Sequence, residues 1–217
     1  MIWSRRRTLA IVGSVVALSA AWVISSPRLA TTQWPRFSRS RLNPYELASA
    51  ATRAGFERVG LPFVSGTEFY VSQGAFGPNT HDEAGLEYRW DFDVPYGTPV
   101  LAVLSGRVLS VYESGQPGGC DRKFNASPNN VLVEHADGTV AQYTHIAARV
   151  SPGQNVSRGE TIAVTAKNGF ICEPQLDFLV FRSRDTLFGT PRAEDLPLFF
   201  EGVPGGVARQ GSGYVAK

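Results

Sequence analysis

Glu87-Tyr88-Arg89-Trp90-Asp91-Phe92-Asp93-Val94-Pro95 is the stretch from which the fold class is read. Tyr88, Trp90, Phe92 and Val94 alternate with Glu87, Arg89, Asp91 and Asp93. Successive side chains of a strand point to opposite faces, so period two marks a half-buried strand with the acids on the face opposite the aromatics. Working outward, the same pattern recurs at short intervals. Residues 97–112 read as two strands around Ser105-Gly106, and residues 130–135 as another. Asp137-Gly138 is a hairpin turn signal leading into a strand over 139–145. Further strands are predicted over 161–166 and 175–181, with edge strands over 196–200 and 213–216. Even spacing of short strands with turns between them predicts an all-β fold, a twisted antiparallel sheet or β-sandwich.

Composition agrees with that reading. The chain has 217 residues, of which 22 are Gly and 14 Pro, and only 18% are charged. A turn-rich β domain suits these proportions better than a helical one. The net charge of +2 is too small to argue for a nucleic-acid partner. The one helix expected is N-terminal. Asn43-Pro44-Tyr45-Glu46 carries a capping Asn, a Pro at the first helical position and a Glu three residues after the cap. The spacing predicts a helix to about Arg58, stopped by Gly60, with Leu47, Ala51, Ala54 and Val59 as its apolar stripe.

Residues 1–25 read as a signal peptide or N-terminal membrane anchor. Arg5, Arg6 and Arg7 precede a 17-residue uncharged stretch, Thr8 to Ile24. That length lies between a cleaved signal and a spanning helix, and Ser19-Ala20-Ala21 offers a cleavage site. Residues 26–60 are then a tether and the short helix, and 61–217 the β domain. Cys120 and Cys172 are the only cysteines, and an even count in an exported chain favours one disulfide over two buried thiols.

Several segments in order resemble the lysostaphin-type, LytM-like peptidoglycan endopeptidases, from about residue 69 to residue 182. They are Val71-Ser72-Gln73-Gly74, Trp90 to Pro95, Gly97-Thr98-Pro99-Val100 with Gly106 and Val108, and Val133-Glu134-His135 with Asp137-Gly138. Gln142-Tyr143-Thr144-His145-Ile146, Val156 with Gly159 and Ile162, Asn168-Gly169-Phe170, and Pro174-Gln175-Leu176-Asp177-Phe178 follow. The resemblance implies the duplicated hybrid-motif β-sheet of that family. It also implies a zinc site built from a His, an Asp and the second His of a His-x-His pair, with two more His assisting the attack of water. Zinc in such a site polarises the scissile carbonyl and lowers the pKa of its water towards about 7.

On that resemblance His81 matches the first metal ligand, Asp91 the second (with Asp93, on the same face, as a fallback), and His145 the Tyr-x-His catalytic residue. The His-x-His pair is replaced by Gln175-x-Asp177. The family site uses four His, whereas this chain has three, one of which, His135, matches no metal position. Gln175 and Asp177 still face the same way on their strand. Asp177 has the chemistry to take the third metal position through oxygen, but Gln175 cannot shuttle protons near neutral pH. The resemblance therefore implies an exported, periplasmic module that binds a peptidoglycan peptide or an envelope protein. The alternative is a zinc endopeptidase with an altered His81/Asp91/Asp177 ligand set. A biotinyl or lipoyl carrier is disfavoured, because Lys123, Lys167 and Lys217 lack the flanking pattern of a modified hairpin tip. No nucleotide or organic cofactor signature is present.

Overall fold

A computed structural model describes residues 43–78, 81–82, 87–124, 128–185 and 191–217. The predicted signal or anchor segment and the tether up to residue 42 lie outside the described residues. Among the described helices none is long and apolar enough to cross a membrane.

The fold is all-β. Its main sheet is antiparallel. It runs in the order β14 (Gly213–Val215), β2 (Glu68–Gln73), β3 (Arg89–Asp93), β11 (Gln175–Asp185), β7 (Thr139–Thr144), β6 (Asn130–His135), β5 (Gly106–Tyr112) and β9 (Asn155–Val156). β12 (Pro191–Asp195) continues the ladder on β11, opposite Phe181 to Asp185. A second sheet joins β4 (Pro99–Leu101), β10 (Thr161–Thr165) and β8 (Ile146–Ala148). A third, two-stranded ribbon pairs β1 (Glu57–Val59) in parallel with β13 (Leu198–Phe200).

The inner face of the main sheet carries the core. Trp90, Phe92, Tyr143, Leu176, Phe178 and Val180 are all fully buried, in one cluster with Val100, Ile162 and Phe200 from the other two sheets. Trp90 and Phe92 each meet Phe200 edge-on, at 5.0 and 5.7 Å between ring centres. Truncating such a ring to Ala costs about 3–5 kcal/mol. The Tyr143 hydroxyl accepts the Val103 N–H at 2.9 Å, which ties the main sheet to the turn after β4. On the outer face, Leu132, Val140, Leu179 and Phe181 form a smaller apolar cluster at one end. The other end of that face is polar.

The N-terminal helix is much shorter than the pattern predicts. Asn43 does cap: its Oδ1 accepts the N–H of Tyr45 at 3.0 Å, and Leu47 N–H reaches the Asn43 carbonyl at 3.0 Å. The turn it caps ends at Leu47, and the helix α1 spans only Ala50–Arg53, with Ser49 as its own N-cap. The expected stripe is also wrong, since Leu47 is 62% exposed while Tyr45 is buried. The competing interaction is tertiary. Tyr45 stacks on Phe56 and meets Trp90 at 5.3 Å, its hydroxyl donates to the Leu198 carbonyl, and residues 57–59 are drawn into β1. A helix continued to Arg58 would forfeit those contacts.

Cys120 and Cys172 form a disulfide across a sequence separation of 52. It fastens the loop after β5 to the loop before β11. Gly118 lies so close to Asn168 that a Cβ there would sit 2.5 Å from its backbone, so only Gly allows this approach.

Candidate functional site

The polar end of the outer face is built by strand register. β3 and β11 pair so that Trp90 opposes Phe178 and Phe92 opposes Leu176 on the core side. The same register sets Asp91 directly opposite Asp177 on the outer side. Asp177 in turn faces Thr144, and Thr144 faces Asn130. On the far side of Asp91, the pairing of β2 with β3 shifts between Val71 and Gln73. Without that bulge Gln73 would share the core face with Phe69 and Val71. With it, Gln73 turns outward and its amide donates to Asp91 Oδ2 at 3.1 Å.

His81 reaches this row from the loop after β2 and is buried. Its Nδ1 lies 3.0 Å from the Gly74 carbonyl, which can only accept, so Nδ1 carries the proton. Nε2 then presents its lone pair, 3.7 Å from Asp91 Oδ2. Burial pushes the His81 pKa down to about 4, although the Asp177 charge pulls the other way, so the ring is neutral at pH 7. Asp91 is pushed well above the usual carboxylate range, first by burial and then by the Asp177 charge.

His145 follows β7 with a left-handed backbone, φ 64°. Its Nδ1 donates to the Asn168 carbonyl at 2.9 Å. Asn168 is fixed by its own amide, which donates to Ile146 O at 2.9 Å and accepts the Asn129 N–H at 2.8 Å. Burial lowers the His145 pKa, again opposed by the Asp177 charge. Asp177 thus acts electrostatically on Asp91, His81 and His145 alike, and the four side chains share one neighbourhood.

The pattern reading passed over Arg89. It lies two residues before Asp91 on the same strand and face, and its Nε is 3.3 Å from Asp177 Oδ1. Both side chains are largely buried, and neither of these two atoms completes a hydrogen bond. Asp195, at the end of β12, is drawn into the same charge cluster. Burial raises its pKa to about 7; Arg89 opposes this, while Glu87 and Asp177 add to it. Its Oδ2 is also without a hydrogen-bond partner. The signal for Arg89 was present in the alternation of residues 87–94, where it falls on the face of Asp91.

The remaining candidates sit beside the row. Gln175 opposes Asp93, which opposes Tyr70. Asp93 accepts the Ser72 hydroxyl at 2.5 Å, so it is engaged away from the His81–Asp91 pair. His135 is a hairpin residue, with Nδ1 2.8 Å from Thr139 Oγ1.

A structural zinc ion needs four ligands, and a catalytic one three from the protein, each at about 2.0–2.2 Å for nitrogen or oxygen. Among the described residues no three His, Cys, Asp or Glu are grouped to hold a metal ion. His81 and Asp91 are suitably aimed, but the third carboxylate, Asp177, is held by a guanidinium whose charge has the sign of the metal's. As arranged, these residues do not fit zinc.

The sequence profile of peptidase family M23 matches residues 86–187. The cell division protein DipM of Caulobacter vibrioides is 36% identical over 95 residues, 43% of this chain and 14% of that one. The peptidoglycan DD-endopeptidase ShyA of Vibrio cholerae is 30% identical over 96 residues, 43% of this chain and 20% of its own length. The chain therefore spans a fifth or less of these two curated relatives. The lysostaphin structure from Staphylococcus simulans superposes with a TM-score of 0.42 at 24% identity, covering 58% of this chain and 47% of that one. The matched residues include β3, β7 and the whole of β11, the strands that carry Asp91, Gln175 and Asp177 and lead into His145. Over residues 86–187, just under half of its length, this chain is similar to peptidase family M23, the lysostaphin-type or LytM-like group.

Proposed function

We propose that the chain is an extracytoplasmic LytM-like module that binds a peptidoglycan peptide or a cell-envelope protein without cleaving it. The observation that carries this reading is the contact of Arg89 with Asp177 at 3.3 Å, which occupies the carboxylate that would complete a metal site. Gln175 adds to it, because an amide in place of an imidazole cannot relay a proton. The outer face remains a shaped polar surface: Gln175, Asp93 and Tyr70 form a half-buried to exposed row beside the buried charges. Amide, carboxylate and phenol groups there suit the amide-rich, ionised stem of a peptide ligand.

The experiment is a paired assay of the purified chain on isolated peptidoglycan. Co-sedimentation reads binding, and release of soluble fragments reads cleavage. Binding without release, with or without added zinc, supports the proposal. Zinc-dependent release abolished in Asp177→Ala would replace it with the second reading, a zinc endopeptidase. That second reading rests on one observation, the lone pair of His81 Nε2 facing Asp91 at 3.7 Å. Expected for the restored variant Arg89→Gly/Gln175→His/Asp177→His is gain of release where the parent shows none.

A further inference from the structure

We infer that Arg89 is the resident cation of this site, and that removing its side chain turns His81, Asp91 and Asp177 into a binding site for a zinc-like divalent ion. The inference rests on the reading that the chain as it stands holds no metal.

Three observations converge. The first is imposed charge. Asp91 and Asp177 are opposed in register with their side chains on one face, where Cβ atoms of facing residues stand about 4.5–5.5 Å apart. Like charges so placed are destabilising, and the register cannot slip, because it is fixed on the other side by Trp90, Phe92, Leu176 and Phe178. A positive group placed here relieves that repulsion. Arg89 is the diagonal neighbour of Asp177 across the same ladder, within reach of a long side chain.

The second is the quality of the ion pair. An Arg built for a carboxylate presents a planar fork in two parallel hydrogen bonds. Here Arg89 Nε and Asp177 Oδ1 meet at 3.3 Å without hydrogen-bond geometry, and buried Asp195 leaves Oδ2 unpartnered beside them. The guanidinium compensates charge but does not saturate the oxygens around it. At Oδ1, Asp177 is thus held by attraction and not by a hydrogen bond.

The third is spacing. Two ligands at about 2.1 Å from a tetrahedral ion lie about 3.4 Å apart. His81 Nε2 and Asp91 Oδ2 are 3.7 Å apart, and the Gly74 and Gln73 hydrogen bonds orient them from behind.

The test uses the full chain, dialysed against micromolar zinc and then analysed for metal, with a parallel cobalt(II) titration followed by visible absorption. Wild type is expected to hold less than about a tenth of an equivalent. Arg89→Ala is expected to hold about one, with the intense bands of a tetrahedral cobalt site. Arg89→Ala/Asp177→Ala should lose it, and Arg89→Lys, which keeps the charge, should bind none. Circular dichroism checks the fold, and Arg89→Gln decides the matter if the Ala variant does not fold. A folded Arg89→Ala or Arg89→Gln that binds no more metal than wild type overturns the inference and leaves the binding-module reading standing. So does metal that survives Asp177→Ala. One equivalent in the wild type, lost on His81→Ala, overturns both.

Discussion

The energetic coupling between Arg89 and Asp177 can be measured directly. Their side chains are 14% and 15% exposed and 3.3 Å apart. At an effective dielectric of about 20, two unit charges at that distance attract by about 5 kcal/mol before any desolvation cost is subtracted. Breaking a buried pair by removing one partner typically costs about 3–5 kcal/mol, because the other charge is stranded. The two single variants should differ. In Asp177→Ala the guanidinium keeps Asp195 nearby, so the loss should fall at or just below the bottom of that range, about 2–3 kcal/mol. In Arg89→Ala the facing pair Asp91 and Asp177 is left without a cation, and about 3–4 kcal/mol is expected. The double variant removes the repulsion with the attraction and should recover about 2–3 kcal/mol relative to the sum. Urea unfolding at pH 7.5 with a chelator present supplies all four corners of the cycle, and constant m values across them qualify the comparison. A coupling below about 0.5 kcal/mol would refute the reasoning, since it would mean that the guanidinium is effectively solvated and is not what compensates Asp177.

Further outcomes follow from individual contacts. Asp195 has a folded-state pKa of about 7 against an ordinary 3.8, so between those values it is protonated when folded and ionised when unfolded. Stability from this group falls as pH rises through that window, by roughly 4 kcal/mol at most. His81 acts in the opposite sense. With its pKa lowered from 6.5 to about 4, the stability it contributes is lost as pH falls through the same range. Asp195→Asn should therefore lose less stability than wild type as pH rises from about 4 to 7 and exceed wild type at pH 8; identical pH profiles by thermal unfolding would contradict this. Cys172→Ser opens a loop with a sequence separation of 52, which the chain-entropy model values at about 4 kcal/mol, and calorimetry under oxidising conditions reads the loss. Tyr45→Phe removes the hydroxyl bonded at 2.6 Å to Leu198 O and should cost about 1–1.5 kcal/mol in urea unfolding, with exchange protection lost first at β13.

Much of the sheet was legible because burial on one face writes a period of two into the chain. β6 spans Asn130–His135, the residues the pattern marks, and β7, β10 and β11 begin where predicted. The helix was not legible. Asn43 does cap, but only a turn over residues 44–47; the helix itself starts from Ser49, and Tyr45 is drawn off to pack on Phe56 and on Trp90, which lies 45 positions on in the chain. Arg89 failed for a related reason. Alternation assigns its face, yet its partner Asp177 lies 88 positions on, and only the β3–β11 register makes them diagonal neighbours.

That register also explains why losing a histidine pair need not dissolve such a site. The apposition of Asp91 and Asp177 is a by-product of packing Trp90, Phe92, Leu176 and Phe178 on the other side of the same two strands. Any sequence that keeps this core keeps two side chains facing each other on the polar face, whatever chemistry they perform. Where both are acids, the choice is between protonating one, binding a metal and supplying a cation from the chain. Asp91, buried and with its pKa raised, takes part of the first course, and Arg89 supplies the third. A cation carried on the neighbouring position of β3 needs no metal and is always present. It also cannot polarise a carbonyl or activate a water as a zinc ion does. On the proposed reading, Arg89 in place of a metal would preserve the shape of the face while withholding the group on which hydrolysis depends, as a binding module built on this fold would require.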